Sequence, residues 1–128
     1  TGKGRLWALL SGERGQYEIA AANTPIRFSV TGTHPHDMFM IFAKRRLDHM
    51  LGFANEGLMI PEQIWDKKET PQNIDRQFIP DLKLGEGTGS ATPLAWSMAQ
   101  FIRLATNLKA GRNLDTPQIV YDRYVKRK

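Results

Sequence analysis

The run Gly57-Leu58-Met59-Ile60-Pro61-Glu62-Gln63-Ile64-Trp65-Asp66 sets a carboxylate beside an amide and an indole at a proline-marked helix exit. Hydrolysis of a glycosidic bond calls for such a set: carboxyl groups flanking the scissile bond, polar groups that fix hydroxyls, and a flat aromatic surface for a pyranose face. Glu62 is the candidate general base, taking a proton from water as that water attacks an anomeric carbon. Gln63 can donate to and accept from sugar hydroxyls, and Trp65 offers a sugar platform. Each has an ordinary alternative: an exposed loop glutamate, a glutamine that caps backbone groups, and a tryptophan packed in the core near a helix end.

Three other groupings carry weaker chemistry. Gly85-Glu86-Gly87-Thr88-Gly89-Ser90-Ala91-Thr92-Pro93 precedes a predicted helix, as phosphate cradles do. It lacks the lysine of a P-loop and holds Glu86 where an anion would be repelled, so it reads as a tight loop bringing backbone and small hydroxyls near a cleft. In Ser11-Gly12-Glu13-Arg14-Gly15, Glu13 or Arg14 could contact polar substrate groups, with a structural ion pair as the alternative. His34, His36 and His49 show no metal-ligand spacing, and helix-start polarity accounts for His34 and His36.

Three helices separated by long irregular connections must position these residues. Leu6, Leu9, Leu10, Tyr17 and Ala20 or Ala21 fall near helical spacing from about Leu6 to Ala22, weakened by Gly12 and Gly15 and stopped by Asn23-Thr24-Pro25. A second helix follows Thr33-His34-Pro35 and carries Phe39, Phe42, Ala43, Leu47, Met50, Leu51 and Ala54 on one face, ending near Gly57. The third takes Thr92 as N-cap and Pro93 at its first position. Its stripe is Leu94, Met98, Phe101, Ile102, Ala105 and Leu108, closed by Lys109 and Gly111. Between helices two and three lies a connection longer than ordinary loops of compact domains, punctuated by Pro61, Pro71, Pro80 and Pro93. The tail from Pro117 to Val125 alternates weakly and reads as a short extended segment.

Composition bounds the rest. The 128 residues suffice for one modest domain, and 41% apolar against 24% charged residues argues against bulk disorder. No apolar run approaches the roughly 20 residues needed to cross a bilayer. The absence of cysteine excludes disulfides and thiolate metal sites without fixing a compartment. A net charge of +5 favours acidic partners, but Lys44-Arg45-Arg46, Lys67-Lys68 and Lys126-Arg127-Lys128 are dispersed and match no nucleic-acid motif. Three helices do not close a core alone, and the chain opens at Thr1 without an initiator methionine; both features predict a piece of a larger all-α assembly. Left by itself, such a piece is expected to self-associate through its uncovered apolar faces.

Three ordered blocks sharpen this reading: Gly4-Arg5-Leu6-Trp7-Ala8-Leu9-Leu10-Ser11-Gly12-Glu13-Arg14-Gly15-Gln16-Tyr17-Glu18, Phe53 through Asp66, and Gly87-Thr88-Gly89-Ser90-Ala91-Thr92-Pro93-Leu94-Ala95-Trp96-Ser97. Together they resemble the C-terminal part of the catalytic domain of bacterial glucoamylases and glucodextranases, glycoside hydrolase family 15. The resemblance implies an all-α fold, an (α/α)6 barrel of which this chain, residues 1–128, supplies the last few helices and active-site loops. It implies inverting, exo-acting hydrolysis of α-1,4 or α-1,6 bonds of α-glucans or maltooligosaccharides, releasing β-D-glucose from nonreducing ends with two glutamates and no catalytic metal or other cofactor. It leans toward a secreted or periplasmic setting.

The general base of the family's Pro-Glu-Gln-x-Trp-Asp motif maps onto Glu62, and Trp7 occupies a tryptophan position expected to help wall the sugar site. The general acid is expected upstream of Thr1, so the isolated 128 residues would hold half a catalytic pair and be inactive. Ala8 departs from a common proline, and Met98 stands where histidine or tyrosine is frequent; both departures bear on packing. The rival readings are a noncatalytic carbohydrate-binding or interaction module and, behind it, a basic nucleic-acid binder.

Overall fold

A computed structural model of the protein describes residues 5–24, 35–69, 82–124 and 126. Pro25, Thr33, His34, Pro71, Pro80 and Val125, used above as helix or loop markers, lie outside them. In chain order the elements are β1 (Leu6–Trp7), α1 (Ala8–Ala22), α2 (Pro35–Gly52), β2 (Gln63–Ile64), α3 (Ala95–Ala110) and α4 (Gln118–Tyr124). The three long helices pack on one another around Ala8, Ile19, Ala43, Met50, Ile60 and Leu104, with Leu47, Phe53, Met98, Phe101 and Leu108 against this cluster.

Several sequence expectations shift. Leu6 and Trp7 form a strand instead of the first helical turn, because their backbone pairs with β2. The second helix ends at Gly52, five residues before Gly57, where Asn55 Oδ1 accepts from the Gly57 and Met59 amides at 3.0 Å and turns the chain. Thr92 does not cap α3: the Thr92-Pro93 peptide is cis, Leu94 holds the N-cap position, and the helix begins at Ala95. Its far end agrees with the sequence, since Gly111 adopts a left-handed φ of 68° and the Gly111 and Arg112 amides return to Leu108 and Asn107. Gln118–Tyr124 is a short helix rather than an extended segment, opened by the Val120 and Tyr121 amides bonding to Pro117 O.

The faces that pack also differ from the periodic stripes. On α1 the buried set is Ala8, Leu9, Gly12, Gly15, Gln16, Glu18, Ile19 and Ala22, while Leu10 and Tyr17 are exposed. On α3 it is Ser97, Gln100, Leu104 and Asn107, while Ile102 is exposed. The seam between these helices is polar and close. Asn107 Nδ2 donates to Gln16 Oε1 at 2.7 Å, and a Cβ built on Gly15 would lie 2.7 Å from both Leu104 methyls. The glycines that weaken α1 as an isolated helix are therefore what admits α3. Trp96, Ile102, Ile41 and Leu51 remain exposed on the long helices, so each helix has a second apolar face besides the one packed here.

Candidate active site

The Pro61-Glu62-Gln63-Ile64-Trp65 segment is bonded along both edges. On one edge β1 pairs antiparallel with β2, setting Leu6 opposite Ile64 and Trp7 opposite Gln63. On the other, Ile64 bridges to Gly87, the Trp65 amide donates to Glu86 O and the Gly85 amide to Trp65 O, both at 2.8 Å. The Thr88 amide donates to Gln63 O at 3.1 Å, and the Gln63 amide donates to Ser90 Oγ at the same distance. The Glu62 amide donates to Ala91 O at 2.9 Å. A backbone whose donors and acceptors are met from two sides is held in orientation as well as in place.

The glycine-rich loop is tight, as its composition suggested, and carries backbone and the Ser90 hydroxyl to the motif rather than to the open cleft that Trp7 and Asp66 line. Gly85 and Gly89 take φ values of 87° and 83°, which side-chain-bearing residues rarely adopt. Gly87 lets the loop pass close to Pro61, whose Cβ would sit 3.2 Å from an added methyl.

Glu62 and Gln63 are half-buried at the centre of this arrangement, and Trp7, also half-buried, lies across the ladder from Gln63. These three sequence-selected residues come together. Trp65 does not fit its expected part. It is 4% exposed, with the Arg5 guanidinium 4.2 Å from its ring centroid, so it presents no open face to a sugar and follows the core-packing alternative instead. Its Nε1 has no hydrogen-bond partner among the described residues.

Arg5 is the residue that sequence reasoning did not single out. Besides covering Trp65 it donates from Nη1 to Asp66 Oδ1 at 2.9 Å, tying the start of β1 to the end of the motif. Nothing local to Arg5 signals a partner 61 positions away; only the β1–β2 pairing creates it. Arg5, Trp7, Ser11, Arg14, Arg46 and Asp66 line an open cleft of about 440 Å³. Glu62 is not among its lining residues, so the cleft meets the motif through Trp7 and Asp66 and is not by itself a place where the carboxylate could act. Arg14 pairs with Glu18 at 3.0 Å rather than with the adjacent Glu13, and Arg46 reaches the same carboxylate from α2 at 3.1 Å.

Residues 1–106 match the glycosyl hydrolases family 15. The chain belongs to that family. It is 37% identical over 124 residues to a glucoamylase of Clostridium sp. (strain G0005), covering 97% of this chain and 13% of that enzyme. The crystal structure of a bacterial glucoamylase complexed with acarbose matches with a TM-score of 0.66 at 37% identity, over 98% of this chain and 14% of that one. The chain thus spans about one-seventh of the length of the relatives it matches. Its helices are part of an (α/α)6 barrel, and the second apolar faces noted above suit helices with neighbours on two sides.

Proposed function

We propose that the full-length protein hydrolyses α-glucosidic bonds from nonreducing ends and releases β-D-glucose with inversion. In this reading residues 1–128 form the C-terminal part of the catalytic domain, Glu62 is the general base, and Gln63 and Trp7 contact the sugar. The observation that carries it is the fixation of the backbone at Glu62, whose amide donates to Ala91 O and whose neighbour Gln63 is held between β1 and the glycine-rich loop, since a base that aims a water at one face of a ring must hold its direction. Inversion places the partner acid roughly 6.5–9.5 Å from the base, the gap that the attacking water occupies. That acid is supplied by another segment of the full-length protein. The acarbose complex of the related glucoamylase supports an oligosaccharide-type ligand for this family, and α-1,4 or α-1,6 linkages are both within the proposal.

The decisive experiment is Glu62→Gln in the full-length protein, which removes the charge and nearly preserves the shape. Glucose release from maltooligosaccharides should fall by about 10²–10⁴-fold, the usual contribution of a general base, with an unchanged circular dichroism spectrum. Polarimetry on the unsubstituted protein should show β-glucose formed first. Full turnover by the variant would reject the assignment.

A further inference from the structure

The peptide unit joining Pro61 to Glu62 is bonded at both of its polar ends. Its carbonyl, Pro61 O, accepts from Ser97 Oγ at 3.2 Å, and its amide, Glu62 N, donates to Ala91 O at 2.9 Å. Because a peptide is planar, fixing both ends fixes the plane from which the Glu62 side chain departs. Ser97 sits just inside α3 and is fully buried, so its hydroxyl has no water to turn to and Pro61 O is its acceptor. Neighbouring residues of both segments continue the grip. The Ile60 amide donates to Met98 Sδ at 3.4 Å, and the Leu94 amide donates to Ile60 O at 3.0 Å.

We infer that Ser97 is a positioning residue for Glu62, acting through the Pro61–Glu62 peptide plane and never touching the sugar. The inference rests on the reading of Glu62 as general base. Ser97 transmits the rigidity of α3 to the carboxylate, while Met98, whose thioether is a weak acceptor, adds a lesser hold one residue further back. Without the Ser97 hydroxyl the plane is restrained at its amide end alone and can rock about the Ala91 contact. A displaced base misaims the water while leaving sugar binding largely intact, so the loss falls on kcat rather than KM.

The test uses four variants of the full-length protein assayed on maltotetraose: Ser97→Ala, Ser97→Cys, Leu104→Val and Glu62→Gln. Ser97→Ala should lower kcat by about ten- to a hundredfold, as expected for a small misplacement of a catalytic group, with KM within about twofold. Ser97→Cys, whose thiol is a weak donor, should recover part of that loss. Leu104→Val loosens the same helix in the core and should lower Tm without lowering kcat. Wild-type kcat in Ser97→Ala beside an inactive Glu62→Gln would overturn the positioning role alone. Equal kcat losses in Ser97→Ala and Leu104→Val would reduce Ser97 to a structural part. Full activity of Glu62→Gln would remove the base assignment and this inference with it.

Discussion

Arg46 Nη2 on α2 meets Glu18 Oε1 on α1 at 3.1 Å, against a carboxylate that is 1% exposed. Arg14 reaches the same oxygen at 3.0 Å from one turn away on α1, so one buried charge is shared by two guanidinium groups. The two partners differ in exposure: the Arg14 side chain is 57% exposed and Arg46 35%. An exposed i,i+4 pair is worth about 0.5 kcal/mol, whereas a pair spanning two helices around a buried carboxylate is worth more when broken, because the carboxylate stays behind. Arg46→Ala should therefore cost about 1–3 kcal/mol and Arg14→Ala about 0.5 kcal/mol. Urea unfolding should show the larger midpoint drop for Arg46→Ala at an unchanged slope; the reverse order would contradict the shared-charge account.

Arg5 supports the motif from outside through Trp65 and Asp66. Arg5→Ala should uncover the Trp65 ring and cost about 1 kcal/mol, the sum expected of a partly exposed cation–π contact and a partly exposed ion pair. Acrylamide quenching of tryptophan fluorescence should rise in the variant. Unchanged quenching would mean that other groups bury Trp65 without help from Arg5.

The existence of the three long helices was legible in the sequence because apolar spacing and a C-terminal glycine are local signals. Which face each helix buries was not. Leu10, Tyr17 and Ile102 belong to apolar stripes yet are exposed, while Gln16, Gln100 and Asn107 are buried in the seam and Ser97 is buried against Pro61. Hydrophobic periodicity reports that a helix has something to bury, but a helix with neighbours on two sides carries two such faces. A polar seam closed by hydrogen bonds leaves no apolar signature. The same limit governed the site. Pro61-Glu62-Gln63 announced itself by residue type, whereas Arg5 and the Ser97 contact depend on pairings 61 and 36 residues apart. For Trp65 the residue type offered both a sugar platform and core packing, and only the fold decides for the second, with the ring 4% exposed.

Gly15 and Leu104 give a direct check on that seam. Alanine at position 15 gains helix propensity of up to about 1 kcal/mol, but its Cβ would sit 2.7 Å from both Leu104 methyls, closer than real contacts allow. Gly15→Ala should therefore be net destabilising by about 1–3 kcal/mol, the range for overpacking. Leu104→Ala alone should cost about 2–5 kcal/mol by opening a cavity. Combined, the two changes should cost less than their sum, since the new methyl enters the space the leucine vacates. Strict additivity in urea unfolding would show that the two residues are not in contact.

At the other end of the seam, Asp115 links Arg103 and Asn107, and Asn113 Nδ2 donates to Gln16 O at 3.0 Å. Burial pushes the Asp115 carboxyl upward, but hydrogen bonds from Arg103 and Asn107 and the nearby guanidinium charge outweigh it and hold it below its ordinary 3.8. A carboxyl with a depressed folded value contributes stability that is present above 3.8 and lost as pH falls through the lower folded value. The side chain is 44% exposed, so screening keeps the effect small, under about 1 kcal/mol. Asp115→Asn should lower Tm slightly at neutral pH, and the difference from the unsubstituted protein should shrink as pH is lowered from about 5 toward 2. A difference that stayed constant across that range would assign the loss to the Arg103 and Asn107 hydrogen bonds rather than to the charge.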